Sequence, residues 1–374
     1  MARQSALSGK HILGAAGIVI VAYLCFWPVP FDPVHWTSPP HPGDAPPYAV
    51  NGALTNAVHL RVGEEAGPEA VAIDANGHIY TGVQSGRILR FNTPESNPVI
   101  FAELPPGRPL GLAFSDEGHL YVAHAPAGLI RVTPDGRHQV VLAEAGGVPI
   151  RYADDLDIAK DGTVYLSDAT TKFDPTEFGG AVMTSRLDLL EHGGHGRLIE
   201  YTPKTGRARV VVEGIHFANG VAMTHDDRGV LVVETGSYRL LKWRRDRPST
   251  KPEVVAGPFP GFPDNVTRGQ AGRYWVGIVS ERSRLLDALS DWPSLRKMAY
   301  RLPLFLQPQA RSTGFIFALD DQYRVGHVLR GASTALGYTV SAVERGGDLI
   351  ISRLHGDSLL HVKDWRTGQL DAPE

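Results

Sequence analysis

The chain of 374 residues has a single cysteine, Cys25, which lies in an apolar segment near the N-terminus. The rest of the sequence therefore offers no disulfide, no thiol nucleophile and no zinc site built from cysteines. The sequence also lacks a G-x-S-x-G nucleophile elbow, a Walker phosphate loop and an H-E-x-x-H helix. It thus gives no support to a serine-hydrolase triad, a phosphate-loop nucleotide site or a zincin centre.

The sequence also has no large excess of charge of either sign. The chain has 37 Lys and Arg against 40 Asp and Glu, a formal net charge of −3, and no long basic run. Nucleic acid is therefore not an expected partner. Hydrophobic residues make up 43% of the chain, which is ordinary for a globular protein with a sizeable core.

A short pattern is present six times, at a period of roughly 40 residues. Each copy has an apolar run, a turn rich in Gly, Asp and Asn, and a second apolar run, which predicts two strands joined by a tight turn. We therefore predict an all-β, six-bladed propeller over residues 51–374, with residues 51–67 supplying the strand that closes the ring. The six copies are PEAVAIDANGHIY, PLGLAFSDEGHLY, ADDLDIAKDGTVY, ANGVAMTHDDRGVLV, PDNVTRGQAGRYW and TVSAVERGGDLII.

Alignment of the copies indicates which residue each blade presents to the central channel. These residues are Glu69, Leu110, Asp154, Asn219 and Asp264, with Thr339 or Val340 in the sixth copy. Four of the six blades thus present an oxygen donor, and carboxylates in a narrow channel repel one another unless a cation lies between them. Hard oxygen ligands suit Ca²⁺, although another divalent cation is possible. Two alternatives stay open: the Asp and Asn residues cap turns, or a bound calcium only stabilises the channel.

The N-terminus predicts a location. Arg3, Lys10 and His11 precede an uninterrupted apolar run, and no A-x-A cleavage pattern follows it. We expect residues 1–27 to form a cytoplasmic tail and a signal-anchor helix, with a cleaved signal peptide as the alternative. Residues 28–50 are rich in proline and predict a semi-rigid linker. The positive-inside rule then places the propeller on the non-cytoplasmic side of a membrane, in a periplasm, an ER lumen or the cell exterior.

Two intervals between copies are too long for one blade and predict insertions, at residues 171–196 and 280–310. Within the second, apolar residues recur at helical spacing among basic residues, which predicts an amphipathic helix over residues 281–306. Such a helix either lies on a membrane surface or packs as a lid over the mouth of the propeller.

The predicted ring suggests a reaction that needs no serine. A channel cation could polarise an ester or lactone carbonyl while a neighbouring group activates water. Asp264 is the candidate carboxylate, and His124 and His216 are candidate histidines near strand ends, where a lone histidine is usually structural. His192 and His195 predict a glycine-flanked surface loop rather than a metal site.

Several dispersed motifs resemble one family. The segments GPEAVAIDANGHIYTGVQSGRILRF, GRPLGLAF, HGRLIEYTPKTG, FANGVAM and PGFPDNVTRGQAGRYWVGI occur in the order found in strictosidine synthase-like and adipocyte plasma membrane-associated propellers. The resemblance covers essentially residues 67–362, including the second insertion. It implies a six-bladed propeller and, from the adipocyte branch, a single-pass protein with the propeller outside the cytoplasm.

The wider superfamily contains the paraoxonases and the SMP-30/gluconolactonase proteins, which are calcium-dependent hydrolases of esters and lactones. The resemblance implies metal ligands at Glu69, Asp154, Asn219 and Asp264, with Asn265 as a possible fifth. Relatives usually carry Asn where this chain has Asp154, and the added charge should tighten divalent binding or favour a different metal.

The resemblance also bears on two catalytic positions. His124 falls near one member of the paraoxonase histidine pair, but the other position is Leu110. The catalytic glutamate of strictosidine synthase corresponds to Val340 or its neighbours, none of which is a carboxylate, so condensation of an amine with an aldehyde is disfavoured. We therefore predict a membrane-anchored, calcium-dependent hydrolase of small esters or lactones. The alternative is a non-catalytic binding propeller with a structural metal, and the condensation comes third.

Overall fold

A computed structural model describes residues 9–307 and 309–366 and shows a six-bladed β-propeller. The first part of the predicted cytoplasmic tail, including Arg3, and residues 367–374 of the predicted propeller lie outside the described residues. Each of the six repeated segments forms the first two strands of a four-stranded antiparallel sheet. The predicted propeller is thus confirmed.

The blades follow one another along the chain, and each is numbered from its inner strand outwards. In chain order the strands are β1 (Val58–Arg61); β2 (Ala70–Ile73), β3 (Ile79–Gly82), β4 (Arg87–Phe91) and β5 (Val99–Glu103) in blade one; β6 (Arg108–Phe114), β7 (Leu120–Ala125), β8 (Gly128–Val132) and β9 (His138–Leu142) in blade two; β10 (Glu144–Ala145) and β11 (Val148–Pro149) in a separate hairpin; β12 (Ala153–Ile158), β13 (Val164–Asp168), β14 (Gly196–Thr202) and β15 (Arg207–Ile215) in blade three; β16 (Ala218–Met223), β17 (Gly229–Glu234), β18 (Arg239–Arg244) and β19 (Glu253–Ala256) in blade four; β20 (Gly261–Arg268), β21 (Tyr274–Glu281), β22 (Phe315–Leu319) and β23 (Val325–Arg330) in blade five; and β24 (Thr339–Arg345), β25 (Asp348–Arg353) and β26 (Ser358–Val362) in blade six.

The ring is closed by a strand from the other end of the chain. β1 pairs antiparallel with β26, so that Val58 lies opposite His361 and Arg61 lies opposite Ser358. The inner strands β2, β6, β12, β16, β20 and β24 each contact the inner strands of both neighbouring blades. The expectation that residues 51–67 supply the closing strand is therefore confirmed.

The hydrophobic core is divided among the blade interfaces. Six groups of buried apolar side chains each lie between two adjacent blades, as with Tyr165, Met223 and Trp243 between blades three and four. Because the strands alternate inward and outward side chains, both faces of each blade are covered by a neighbour. This arrangement explains why the apolar runs of the repeats are nearly continuous.

Among the described residues, four α-helices lie outside the blades. They are α1 (Gly9–Phe26), α2 (Ala181–Glu191), α3 (Arg284–Ala288) and α4 (Pro293–Arg301). α1 forms within the predicted anchor segment, and its C-terminal end contacts α4. In the part of the chain that the structure describes, no helix is both long and apolar enough to cross a membrane, so the expected membrane-spanning helix is not supported.

The two predicted insertions are present, and the second differs from the expected single helix. It contains two short helices, α3 and α4, followed by a 3₁₀ turn at Leu304–Leu306. Pro293 occupies the first turn of α4, where its missing N–H and fixed φ are tolerated but a preceding helix cannot continue through it. The proline therefore divides the amphipathic segment.

Candidate functional site

Backbone irregularities aim the candidate side chains into the channel. The pairing between first and second strands shifts at the same place in blades three to six, over Asp154 and Asp155, Asn219 and Gly220, Asp264 and Asn265, and Val340 and Ser341. A β-bulge of this kind inserts an unpaired residue and re-aims neighbouring side chains. As a result, the first residue of an acidic or amide pair can face one end of the channel and the second can face the other.

Four of the five predicted ligands share one cavity. Glu69, Asp154, Asn219 and Asp264 lie at the end of a cavity of about 270 Å³ that opens at the mouth of the channel. All four side chains are buried. Asn265 is separated from them, because it lines a second cavity at the opposite end of the channel.

Each of the five candidates has a buried oxygen that accepts no hydrogen bond. These atoms are Oε2 of Glu69, Oδ2 of Asp154, Oδ1 of Asn219, Oδ1 of Asp264 and Oδ1 of Asn265. A buried polar atom without a partner costs about 1–3 kcal/mol, and more when it is charged. Four of these oxygens, on Glu69, Asp154, Asn219 and Asp264, are therefore grouped in one cavity without hydrogen-bond partners.

Burial and mutual repulsion raise the pKa values of the carboxyl groups in this cavity. Burial, followed by the negative charges of Asp264 and Glu69, raises the pKa of Asp154 well above its usual range. Burial and the Glu69 charge likewise raise the pKa of Asp264. Burial also raises the pKa of Glu69, although the Arg108 charge opposes that shift. Three carboxyl groups thus resist ionising together in this cavity.

Arg108 is the positive charge closest to this ring. Its Nη2 lies 2.8 Å from Oε2 of Glu69, which is ion-pair distance. The same nitrogen donates to the carbonyl oxygens of Leu354, at 2.7 Å, and Gly67, at 3.5 Å. Since its two N–H groups are directed at those carbonyls, Oε2 of Glu69 has an ion contact but no aligned hydrogen bond.

Carboxylates and histidines alone do not complete a metal centre. Across residues 9–307 and 309–366, no three Asp, Glu, His or Cys side chains are arranged so that they could hold a metal ion. In chemical type, although not in this arrangement, the donors suit a hard divalent cation, because they are the carboxylate oxygens of Glu69, Asp154 and Asp264 and the amide oxygen of Asn219.

The walls of the cavity are mainly aromatic and aliphatic. Tyr152 and Phe217 lie in the cavity wall, and their rings meet edge to face at 5.5 Å. Tyr238 and Phe262 form a second edge-to-face pair in the wall, at 5.0 Å. An apolar cavity that ends in a few polar groups is the usual form of a small-molecule site, although this one is at the small end of the range.

His124 lies away from this cavity. It is fully buried in β7, where its Nδ1 accepts from the backbone N–H of Ala127 at 3.4 Å and its Nε2 lies 3.2 Å from the carbonyl oxygen of Pro105. Burial lowers the pKa of His124 to about 4, so the ring is neutral near pH 7. Both ring nitrogens are occupied by backbone groups, and the side chain is not among those that line the cavity.

The other three candidate histidines have structural partners. His192 stacks on His216, with ring centres 3.9 Å apart, and on the opposite side it stacks on Trp36 at 4.0 Å. The Nε2 of His195 lies 2.6 Å from Oε1 of Glu191. His192 is therefore buried, which differs from the expected surface loop.

Sequence reasoning missed two residues that line the cavity. His355 follows β25 and meets Tyr338 edge to face at 4.9 Å, and burial lowers its pKa. Its position two residues after the second strand of blade six is the only sequence signal for it. Trp36 lies in the predicted linker, where no repeat or motif marks it.

The sixth blade contributes no carboxylate to the cavity. Val340 is fully buried, and Oγ1 of Thr339 accepts from the N–H of Phe315 at 2.8 Å and donates to its carbonyl oxygen at 3.0 Å. Ser341 lines the cavity at the opposite end of the channel. These positions therefore cannot supply the acid or base of a condensation.

The fold and the site define the class of this protein: a six-bladed propeller with oxygen donors at one mouth of its channel. The family model for strictosidine synthase matches residues 154–246, and that for the strictosidine synthase-like N-terminal region matches residues 46–91. Protein STRICTOSIDINE SYNTHASE-LIKE 6 of Arabidopsis thaliana is 32% identical over 281 residues, which are 72% of this chain and 72% of the relative. The chain belongs to the strictosidine synthase-like family.

Another relative agrees with this assignment, and two solved structures share the fold. The adipocyte plasma membrane-associated protein of Salmo salar is 31% identical over 68% of this chain and 64% of its own length. A gluconolactonase from Xanthomonas campestris superposes with a TM-score of 0.58 at 14% identity, over 89% of this chain and 97% of the other. A calcium-binding regucalcin from Agrobacterium tumefaciens superposes with a TM-score of 0.56 at 13% identity, over 82% of this chain and 93% of the other. At such identities the structural likeness shows the fold alone.

Proposed function

We propose that this protein is a calcium-dependent, or other divalent-cation-dependent, hydrolase of small apolar esters or lactones. The observation that carries the proposal is the set of buried oxygens of Glu69, Asp154, Asn219 and Asp264 that accept no hydrogen bond and line one largely aromatic cavity. The names of the structural neighbours, a gluconolactonase and a calcium-binding regucalcin, support the same chemistry.

The roles of the residues follow from their positions. Glu69, Asp154, Asn219 and Asp264 would hold the cation, which would act as a Lewis acid on the substrate carbonyl. The aromatic walls bind the apolar part of the substrate and exclude bulk water, which strengthens the electrostatic interactions inside the cavity.

Water must lose a proton when it attacks the carbonyl carbon. The carboxylate of Asp264, through the oxygen that does not hold the cation, would take that proton, and the C–O bond to the leaving oxygen would then break. The proton would return to the leaving alkoxide, which gives an acid and an alcohol, or a hydroxy acid from a lactone. His355 is a second candidate for this role, because it lines the cavity and its lowered pKa keeps it able to accept a proton.

The proposal is tested by assaying the full chain on phenyl acetate and a panel of lactones, with EDTA and with added Ca²⁺. We expect turnover that EDTA abolishes and Ca²⁺ restores. Asp264→Asn should lose about a hundredfold or more in kcat if Asp264 is the base. Asp135→Asn, at an exposed turn, should retain full activity. Full activity of Asp264→Asn would indicate that His355, and not Asp264, is the general base. Absence of turnover on every substrate would overturn the proposal.

A second candidate is a binding propeller in which the cation is purely structural. The enclosure of His124 by backbone groups, away from the cavity, favours it, because this candidate base cannot reach a substrate there. In that case EDTA would lower the melting temperature of the protein, and no ester or lactone would be hydrolysed.

We also propose that one end of the molecule docks on a lipid surface, with the propeller on the non-cytoplasmic side. Phe26 and Trp27 at the end of α1, and Phe305 in the 3₁₀ turn, are exposed to solvent. The exposed fraction of Phe305 is 81%. Arg301 of α4 donates to the carbonyl oxygens of Leu24 and Trp27, both at 2.6 Å, and so joins α1 to the second insertion.

Vesicle sedimentation of the full chain tests this docking. Replacing Leu304, Phe305 and Leu306 with serine should reduce binding to phosphatidylcholine vesicles at least about tenfold, because full burial of even one large apolar side chain contributes about 1.5–3 kcal/mol. Val254→Ser, an exposed outer-strand position, is the control. Equal binding by both variants would contradict the proposal.

A further inference from the structure

We infer that residues 28–48, here called the N-terminal strap, form a wall of the substrate cavity, and that Trp36 sets which substrates fit. The sequence predicted a linker in this region, but the strap lies against both insertions. The statement about substrates rests on the proposed hydrolase; the statement about the cavity wall stands on contacts alone.

One end of the strap is fixed to the second insertion through Asp287. Ser38 Oγ donates to Oδ1 of Asp287 at 2.8 Å, and the hydroxyl of Tyr238, a cavity-wall residue, donates to the same oxygen at 3.0 Å. Arg282 donates to Oδ2 of Asp287 at 3.0 Å and to the carbonyl oxygen of Pro39 at 2.6 Å. A wall residue and the strap thus share one acceptor.

Buried arginines bind the strap backbone at two further points. Arg296, which is buried beside the cavity, donates to the carbonyl oxygens of Val34 and Leu190. Arg330 donates to the carbonyl oxygen of Tyr48 at 2.7 Å. A buried guanidinium is costly unless its N–H groups are bonded, so these arginines are stable in place only while the strap is docked.

The strap also reaches the first insertion. The N–H groups of Asp32 and Val34 donate to Glu191 at the end of α2, to Oε2 at 2.7 Å and to the carbonyl oxygen at 2.9 Å. Phe31 is fully buried, with its ring edge to face against Tyr300 of α4 at 5.1 Å. The strap therefore bridges α2 and α4, which otherwise belong to different blades.

Trp36 is the strap residue that lines the cavity. Its ring stacks on His192 at 4.0 Å with an interplanar angle of 11°, and its centre lies 6.3 Å from that of Tyr238. A tryptophan held on one face by a stack leaves its remaining surface to the cavity. Because the carboxylates occupy the channel end, we assign to the substrate a reacting carbonyl at that end and an apolar acyl or aryl group beside Trp36.

The test compares Trp36→Ala with Trp292→Ala, an exposed tryptophan of the second insertion, both in the full chain. Affinity for the neutral fluorescent probe N-phenyl-1-naphthylamine should fall about five- to tenfold in Trp36→Ala, as loss of an aromatic contact predicts. With p-nitrophenyl esters of increasing acyl length, the longest acyl group hydrolysed should increase in Trp36→Ala. Trp292→Ala should match the unmodified protein in both assays.

The probe titration and the ester assay together distinguish a failure of this inference from a failure of the proposed function. If the unmodified chain hydrolyses no ester, the probe titration still decides whether Trp36 lines the cavity. Equal probe affinity and an equal acyl-length profile in the two alanine variants would overturn the inference. Trp36→Phe, which keeps an aromatic ring, should restore most of the probe affinity; if it does not, the effect of Trp36→Ala reflects misfolding and the inference is lost.

Discussion

At the residue scale, the buried carboxylates of the channel oppose one another in the metal-free protein. Burial, and then the negative charges of Asp264 and Glu69, raise the pKa of Asp154. The ionised form of Asp154 is therefore disfavoured when no cation is bound. Its charge should therefore destabilise the metal-free fold and strengthen cation binding.

Asp154→Asn should separate these two effects. We expect its melting temperature in EDTA to rise by a few degrees and its Ca²⁺ affinity to fall on the order of tenfold, since ligand charge tunes calcium affinity. Differential scanning calorimetry and isothermal titration calorimetry measure the two quantities, with Asp135→Asn as the control. An unchanged Ca²⁺ affinity would show that Asp154 does not contact the cation.

His192 should make the fold sensitive to acid. Burial, with the charge of a neighbouring His216 next, lowers the pKa of His192 to about 2, against about 6.5 in an unfolded chain. Between these values unfolding takes up a proton, so the free energy of unfolding decreases as the pH falls below about 6.5. The decrease is at most about 1.4 kcal/mol per pH unit for this one group.

Urea unfolding of His192→Phe between pH 7.5 and pH 5 measures that slope. Phenylalanine keeps a ring between Trp36 and His216 but cannot be protonated, so its acid slope should be shallower by up to one proton. The backbone φ of 59° at this position will lower the stability of the variant at every pH, so slopes are compared rather than absolute values. His138→Phe, at an exposed strand position, should keep the original slope.

At the element scale, glycines let the inner strands approach closely enough for their side chains to share the channel. A Cβ added at Gly220 in β16 would lie 2.4 Å from the backbone nitrogen of Val266 and 2.5 Å from Cα of Asn265 in β20. No real Cβ contact is that short, so the two strands would have to separate.

Gly220→Ala should therefore destabilise the protein by about 2–3 kcal/mol or more and weaken Ca²⁺ binding, because Asn219 and Asp264 lie in these two strands. Gly326→Ala, whose added Cβ would meet only one oxygen at 3.8 Å, is the matched control. Chemical denaturation measures both, and equal stabilities would show that the inner strands have room to move.

The repeats predicted the inner two strands of each blade well, because the pattern that marks these strands is short. Hairpin turns and alternating apolar runs marked the inner two strands of every blade, because both signals arise within about a dozen residues. Pro293 marks the division of the second insertion in the sequence, although the helical spacing across it predicts a single helix. The bulges at Asp154 and Asp264 had no sequence signal, since they depend on how neighbouring strands pair.

At the scale of the whole molecule, ring closure depends on a strand from the N-terminal part of the chain. β1 covers the outer edge of β26, and without it blade six would end in an unpaired edge. Removal of residues 1–62 should therefore lower the melting temperature by roughly ten degrees or more and broaden the transition.

Removal of residues 1–50 is the matched control, because it deletes α1 and the strap but keeps β1. We expect this shorter deletion to retain a single cooperative transition by calorimetry at a moderately lower temperature. Identical melting curves for the two deletions would show that β1 does not hold the ring closed.

The sequence by itself determined the propeller, its six blades and four of the oxygen donors, because each repeat places the same position at the same radius of the ring. Only the tertiary structure decided that Asn265 faces the opposite end of the channel, that His124 is enclosed by backbone groups, and that His355 and Trp36 line the cavity. The place of Trp36 depends on contacts between residues more than 200 positions apart, such as Arg282 with Ser38. The enclosure of His124 depends on how the backbone folds around it at Pro105 and Ala127. Local periodicity in the sequence predicts neither.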